Sequence, residues 1–396
     1  IMIKNIPILL QINVTANWGS TGKIAEQIGL KAKSAEWDCY IAYGRSSNLS
    51  QLQVIKVGNK PTVLWHYAEN RLLDNEGLAS RWATRQLVKQ IEAIKPDVIQ
   101  LHNIHDHWLN YRILFEYLNA TDIPVVWTFH DCWAFTGHCP HFVSVGCEKW
   151  KSSECMNCPL NSSFLDKSNR NFKLKKSLFA ANKNLHIVTV SQWLGDMARQ
   201  SFFRDVDIRV IHNGIDVNRF GVKPAQKEGK FVILGVATAW SESKGLGDYF
   251  MLSERLDDDC QIVLVGLREQ QIWALPQKII GLPKTKSQEE LAELYRKASV
   301  VLSLSRAETF GLTIAEGMAC GTPAIVYDNT AQPELITPET GLVVKTGDID
   351  ALVSAIRYLK EHPLSADDCR KRAKTCFDKE RCFEEYIQLY EQLISQ

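Results

Sequence analysis

Short apolar runs alternate along the whole chain with longer segments whose apolar residues recur at helical spacing. The runs Ile6 to Val14, Cys39 to Tyr43, Pro96 to His102 and Pro124 to Phe129 read as strands, and Leu185 to Val190 and Ile208 to Ile211 continue the series. Further on, Phe231 to Ala237, Cys260 to Val265, Val300 to Leu304 and the run from Ala324 form a second series. Apolar residues on both faces of a strand indicate a parallel sheet covered on both sides. Helical spacing follows several of the runs: Ile24, Ala25, Ile28 and Leu30; then Leu87, Ile91 and Ile94 within Gly77 to Ile94; then Glu289 to Ala298. Leu312, Ala315 and Ala319 share one helical face, with Ile314 and Met318 beside it. Ile349 to Leu359 is a further helix, and Arg370 to Leu393 reads as one long helix with Tyr386, Leu389, Tyr390 and Leu393 on its apolar face. The pattern predicts an α/β protein, and 396 residues suggest two domains of ordinary size.

In open α/β sheets ligands bind beyond the carboxyl ends of the strands, so polar groups there are the first to consider. Asn17 to Lys23 follows the first strand, and Gly19 and Gly22 permit close backbone approach before a helix start that favours anions. His102, Asn103, His105 and His107 follow the strand that begins after Pro96. His130 ends the strand at Phe129 and is the strongest candidate in this half. In the second half, Lys244-Gly245 follows the strand Phe231 to Ala237. Glu308 lies on the loop after Val300 to Leu304, and Glu316 sits in the helix that Gly311 precedes, so both carboxylates can reach one ligand at the helix start. Cys320-Gly321-Thr322-Pro323 then stops that helix.

Within the first half lies a cysteine-bearing insert, 132–159, in which Cys155 and Cys158 have the C-x2-C spacing of a zinc chelate. Cys139 and Cys147 would complete a closed, structural four-thiolate site; disulfides and buried free thiols are the alternatives. The following segment, Asp166 to Lys183, carries Lys167, Arg170, Lys173, Lys175, Lys176 and Lys183 among apolar residues. It reads either as a helix packed on the sheet or as a surface for anionic lipid. The net charge of +1 gives no overall field that would attract nucleic acid. No apolar run suggests a membrane span or a secretory signal, and an odd total of 11 cysteines favours reduced thiols in the cytoplasm.

The stretch ETFGLTIAEGMACGTPAIV, from Glu308 to Val326, resembles the signature of retaining glycosyltransferases of family 4, which have the GT-B fold. The segment TFHD around His130 and the stretch His212-Asn213-Gly214-Ile215-Asp216 with Phe220 resemble the same family. The resemblance implies two Rossmann-like doubly wound domains facing across a cleft. Their expected limits are 1–212 for the acceptor side, 213–376 for nucleotide-sugar binding, and 377–396 for a helix returning to the first domain. It implies that Gly19 and Gly22 approach the sugar and diphosphate, that His130 positions the sugar with His102 near it, and that Asn213 marks the hinge. Lys244 would bind the diphosphate, Glu308 the sugar hydroxyls and Glu316 the ribose, with backbone groups of Leu282, Phe310, Gly311 and Leu312 near base, sugar and phosphates. The expected activity moves a sugar from a nucleoside-diphosphate sugar to a glycan or polyprenyl-linked acceptor for surface polysaccharide, at the inner face of the membrane, with no cofactor needed for catalysis. One departure stands out. Ala239 occupies the place, five residues before Lys244, where many members carry Arg; Arg268 and Arg306 are the nearby cations that can compensate. Other readings are an NAD(P)-dependent oxidoreductase, although GxGxxG is missing after the first strand; a GT-B epimerase or phosphorylase; and a non-catalytic partner subunit that binds nucleotide sugar.

Overall fold

A computed structural model describes residues 6–152, 155–221 and 229–395 of the chain. Ser153 and Glu154 of the cysteine-bearing insert, residues 1–5 of the first expected domain and Gln396 of the returning helix lie outside the described residues. The chain divides into two compact units, 1–211 together with 383–396, and 212–382.

The first unit is built on strands β1 (Ile8–Asn13), β2 (Asp38–Tyr43), β3 (Gln53–Lys56), β4 (Val98–Leu101), β5 (Val125–Phe129), β6 (Leu185–Thr189) and β7 (Asp207–Val210). They form one parallel sheet in the order β3-β2-β1-β4-β5-β6-β7. Every residue of β4 and β5 is buried, as their unbroken apolar runs require. On one side the core is aromatic: Trp127 packs against Phe115, Phe129, Phe179 and Phe203. The end of the chain belongs to this unit, where Tyr390 donates to Gln100 Oε1 at 2.6 Å and Thr128 Oγ1 donates to the Tyr386 hydroxyl at 3.3 Å.

The second unit holds β8 (Phe231–Val236), β9 (Cys260–Val265), β10 (Ile279–Leu282), β11 (Val300–Ser303), β12 (Ala324–Tyr327) and β13 (Gly341–Val344). These are parallel in the order β10-β9-β8-β11-β12-β13. In each sheet the order reverses beside the first strand, between β1 and β4 and between β8 and β11. Such reversals part the crossover helices and leave a crevice at the strand ends.

Three details differ from the sequence reading. The single long helix expected from Arg370 is two, Ala366–Phe377 and Lys379–Ile394, joined at an extended Asp378. The break has a backbone cause: Ile215 donates to Phe377 O at 2.8 Å and accepts from Lys379 N at 3.0 Å, so an inserted peptide takes the helical hydrogen bonds. The tail that groups with the first unit starts at Phe383 rather than at Phe377, and His212 groups with the second unit. Lys175, expected among surface bases, is buried in the helix Ser168–Phe179. Its ammonium lies 3.3 Å from the centre of the Trp133 ring and donates to Trp133 O at 2.8 Å, and burial lowers its pKa to about 7. Phe172 and Phe179 on the same helix are fully buried, so one face of this segment packs into the unit.

Candidate functional site

In the first unit the turn after β1 and the ends of β4 and β5 come together at the reversal of strand order. Gly19 opens the helix Gly19–Ser34 with φ +67, a left-handed conformation that a side chain would strain. At Gly22 the constraint is space: a Cβ would stand 2.5 Å from Thr15 Oγ1 and 3.2 Å from Thr15 O. Glycine therefore lets the first helical turn close onto the end of the strand.

His102 and His130 stack with ring centres 5.3 Å apart and share a hydrogen bond, Nδ1 of His102 to Nε2 of His130, at 3.0 Å. The proton positions follow from the neighbours. Gln11 Nε2 donates to Ala25 O at 2.9 Å, which turns Gln11 Oε1 toward His102 Nε2, 3.0 Å away. Because an amide oxygen only accepts, His102 must carry its proton on Nε2. Its Nδ1 then accepts from His130 Nε2, and Nδ1 of neutral His130 is left as an acceptor. Burial holds both rings neutral: His130 is lowered to about 4, and His102 is driven well below the ordinary range by burial and by His130. Next to them, His105 Nε2 meets Asp131 Oδ2 at 2.9 Å. Burial opposes both charges, but their attraction and hydrogen bond prevail, raising His105 and lowering Asp131 to about 2. His102, Asn103, His105, His130 and Asp131 line one small cleft. His107 turns away to Asn70, 2.9 Å distant.

In the second unit, the loops after β8 and β11 meet across the other reversal point. Lys244 ends a single turn, Glu242–Lys244, and Gly245 follows with φ +73, where a Cβ would lie 2.3 Å from Leu304 O. That close approach brings the Lys244 ammonium onto Glu308 Oε1 as an ion pair, with the two side chains 33% and 24% exposed. The Glu308 backbone is held on both sides, by Thr330 Oγ1 accepting from its N–H at 3.0 Å and by Ala331 N donating to its carbonyl at 3.1 Å. Gly311, at φ +107, turns the chain into the helix Leu312–Ala319, whose first N–H groups are presented beside Glu308. Glu316 is half-buried on that helix, and the buried Tyr295 hydroxyl donates to its Oε2 at 3.0 Å. Phe310 is buried against His212 and Phe377, so only its backbone is available to a ligand. Asn213 is buried in the segment after β7.

Two expected contributions change. The Leu282 carbonyl already accepts from Gly266 N at 3.0 Å and Leu267 N at 3.1 Å, which fills both its lone pairs. Arg306 Nη2 donates to both Oδ1 and Oδ2 of Asp248, at 3.0 and 2.9 Å, and Asp248 also accepts from the Tyr327 hydroxyl at 2.8 Å. One guanidinium nitrogen is thus engaged within the fold, while the side chain stays 40% exposed. Arg268 is exposed at the start of the short helix Glu269–Trp273. The four thiols of the insert also fail to gather. Among the described residues no three of Cys139, Cys147, Cys155 and Cys158 bring their sulfurs within 4.8 Å of one another. Cys155 instead accepts from Gly137 N at 3.3 Å, and the Cys139 thiol pairs with Cys158. The sequence reading missed the group that does close to that distance, Asp74, His138 and Asp166. Two of its members lie outside the insert and so carry no local spacing signal.

Residues 33–219 match the model of Glycosyltransferase Family 4, and residues 215–375 match that of Glycosyl transferases group 1. WcaC of Escherichia coli K12, whose name assigns it to glycosyl transfer in colanic acid biosynthesis, is 22% identical over 97% of this chain and 100% of its own length. The sucrose-phosphate synthase of Thermosynechococcus elongatus superposes with a TM-score of 0.73 at 18% identity, covering 98% of this chain and 99% of that one. HepE of Anabaena, solved in complex with UDP, superposes with a TM-score of 0.69 at 14% identity, covering 98% of this chain and 100% of that one. With two Rossmann-like units and consecutive matches to both halves of the same enzyme class, the chain belongs to the GT-B glycosyltransferases of the family-4 type.

Proposed function

We propose that the chain transfers a sugar from a nucleoside-diphosphate sugar, with retention at the anomeric carbon, to a glycan or polyprenyl-linked acceptor in surface-polysaccharide synthesis. The observation that carries this reading is the Lys244–Glu308 pair beside the first turn of the helix Leu312–Ala319. A cation and a helix N-terminus suit a diphosphate, and a carboxylate suits sugar hydroxyls. When the bond between C1 and the phosphate oxygen breaks, negative charge grows on the diphosphate. Lys244 and the N–H groups of Gly311 and Leu312 would stabilise it. The acceptor oxygen forms its bond to C1 from the same face and passes its proton to the departing phosphate oxygen. Glu316, oriented by Tyr295, is suited to ribose hydroxyls. His130, neutral and with Nδ1 free to accept, would hold a donor-sugar hydroxyl rather than attack C1. Gly19 and Gly22 would let the backbone after β1 approach the phosphates.

The name of WcaC supports the polysaccharide setting, and the UDP complex of HepE supports a nucleoside-diphosphate leaving group. Among the described residues no helix is long and apolar enough to cross a membrane. Peripheral attachment at the inner face rests on the exposed Lys173, Lys176, Lys183 and Phe164. The test is to incubate the chain with UDP-, GDP- and ADP-sugars and an acceptor glycan, and to measure nucleoside diphosphate release and the anomeric configuration of the product. Release with retention is expected, and it should disappear in Glu308→Ala while circular dichroism stays native. Wild-type turnover in that variant would refute the assignment.

A further inference from the structure

Apart from the sugar-transfer site, the most unusual polar group in the first unit lies where the cysteine-bearing insert meets two helices. Asp74 caps the helix Lys60–Leu73 in a left-handed conformation, and its carboxylate is buried. Asp166 precedes the helix Ser168–Phe179. His138 comes from the insert itself. Their ligand-capable atoms all lie within 4.8 Å of one another. Both carboxylates are already oriented by backbone donors. Asp74 Oδ2 accepts from Lys167 N at 2.7 Å, while Asp166 accepts from Ser168 N at 2.9 Å and Cys158 N at 2.8 Å.

His138 is the independent observation. It is only 9% exposed, yet neither ring nitrogen makes a hydrogen bond. Nδ1 lies 3.3 Å from Asp74 Oδ2 without the alignment a hydrogen bond needs. A buried imidazole with two unmade hydrogen bonds, facing two carboxylates, is costly in a finished fold.

We propose that Asp74, His138 and Asp166 bind one divalent transition-metal ion of the zinc class. One imidazole nitrogen and two carboxylate oxygens are ordinary zinc donors. Calcium and magnesium take oxygen ligands and would leave the nitrogen unused. The ion would neutralise the clustered carboxylates, satisfy the ring, and join the insert to the ends of two helices. The three donors sit on the insert and beside the ends of two helices, so the ion's role is to staple the fold. It is distinct from the four-thiolate site that the C-x2-C spacing suggests, since Cys139, Cys147, Cys155 and Cys158 take no part.

The full chain, purified from zinc-supplemented cells without chelator, is to be assayed for metal by mass spectrometry. About one zinc per chain is expected in the wild type and in Cys147→Ser, and about a tenth of that or less in His138→Gln and Asp74→Asn. Because those two variants can fold poorly, the wild-type chain is also stripped and titrated with Co2+. A visible Co2+ spectrum without thiolate charge-transfer intensity is expected. The absence of zinc and of a cobalt spectrum would overturn the proposal. So would zinc that persists in His138→Gln, vanishes in Cys147→Ser and gives a four-thiolate cobalt spectrum.

Discussion

Lys244 and Glu308 neutralise each other in the donor-free chain, and this gives their substitutions opposite effects on nucleotide binding. With both side chains about a quarter to a third exposed, the pair stabilises the fold by about 1 kcal/mol or less. Breaking it should therefore lower Tm by no more than about 4 °C. Binding is a different matter. A diphosphate competes with Glu308 for the ammonium, so Glu308→Gln releases Lys244 and should tighten nucleoside-diphosphate binding by about 1 kcal/mol, roughly fivefold. Lys244→Met should weaken the same binding. In transfer both variants lose. In the proposed reaction Lys244→Met removes a cation aimed at the charge growing on the leaving group, an effect of about 3–4 kcal/mol, or roughly 10²–10³ in kcat. The nearby Arg306 is already engaged by Asp248 through one guanidinium nitrogen. Titration calorimetry with UDP, GDP and ADP gives the binding arm, and product formation at saturating donor gives the other. The reasoning is refuted if Glu308→Gln binds nucleoside diphosphate more weakly than wild type, or if Lys244→Met turns over within about threefold of it.

Gly22→Ala should destabilise the first unit by about 1–3 kcal/mol in urea unfolding, because the new methyl group meets Thr15 at 2.5 Å; an unchanged midpoint would show that the turn yields freely. The His102–His130 pair predicts acid sensitivity. Burial keeps His130 neutral down to about 4, whereas the unfolded chain takes its proton near 6.5, so the folded state loses stability as pH falls through that window. The loss from His130 approaches about 3 kcal/mol near pH 4 and is absent above about pH 7. His130→Gln should flatten this part of the profile, and equal slopes in the two proteins would disprove it.

Much of the fold was legible because buried parallel strands leave an unbroken apolar run. β4, β5, β11 and β12 lie within runs read from sequence. The edge strand β3 was not recognised, since Gln53–Lys56 carries exposed residues and too few apolar ones for either pattern. The helix Lys60–Leu73 was missed for a related reason. Its exposed Leu64, Trp65, Tyr67 and Leu72 blur the polar face that marks a surface helix. Arg370 to Leu393 kept a helical pattern throughout, and what divides it is the Ile215 backbone, some 160 residues earlier in the chain. Lys175 was likewise counted as a surface base because a charged residue gives no sign that an indole face and two carbonyls await it.

The candidate sites divide along the same physical line. Positions set by the backbone were readable: a glycine that must approach Thr15 or Leu304, and a carboxylate placed one loop away from a helix start, are consequences of local geometry. Partnerships between side chains from distant elements were not. Nothing local in the sequence indicates that Gln11 sets the proton on His102 and thereby leaves His130 an acceptor, or that Asp248 engages Arg306. These partnerships decide the chemistry at each reversal point. In the first unit they produce neutral rings able to receive a hydroxyl hydrogen bond without competing for phosphate. In the second they leave Lys244 as the ammonium paired directly with Glu308. On the proposed donor site, such a pair would keep the ammonium near the diphosphate's place before any donor arrives, at the cost of the Coulomb energy that the donor must displace. That is why the binding of nucleotide alone, measured in Glu308→Gln, separates this arrangement from a merely structural salt bridge: removing a structural partner would leave affinity unchanged or reduce it, while removing a competitor must raise it.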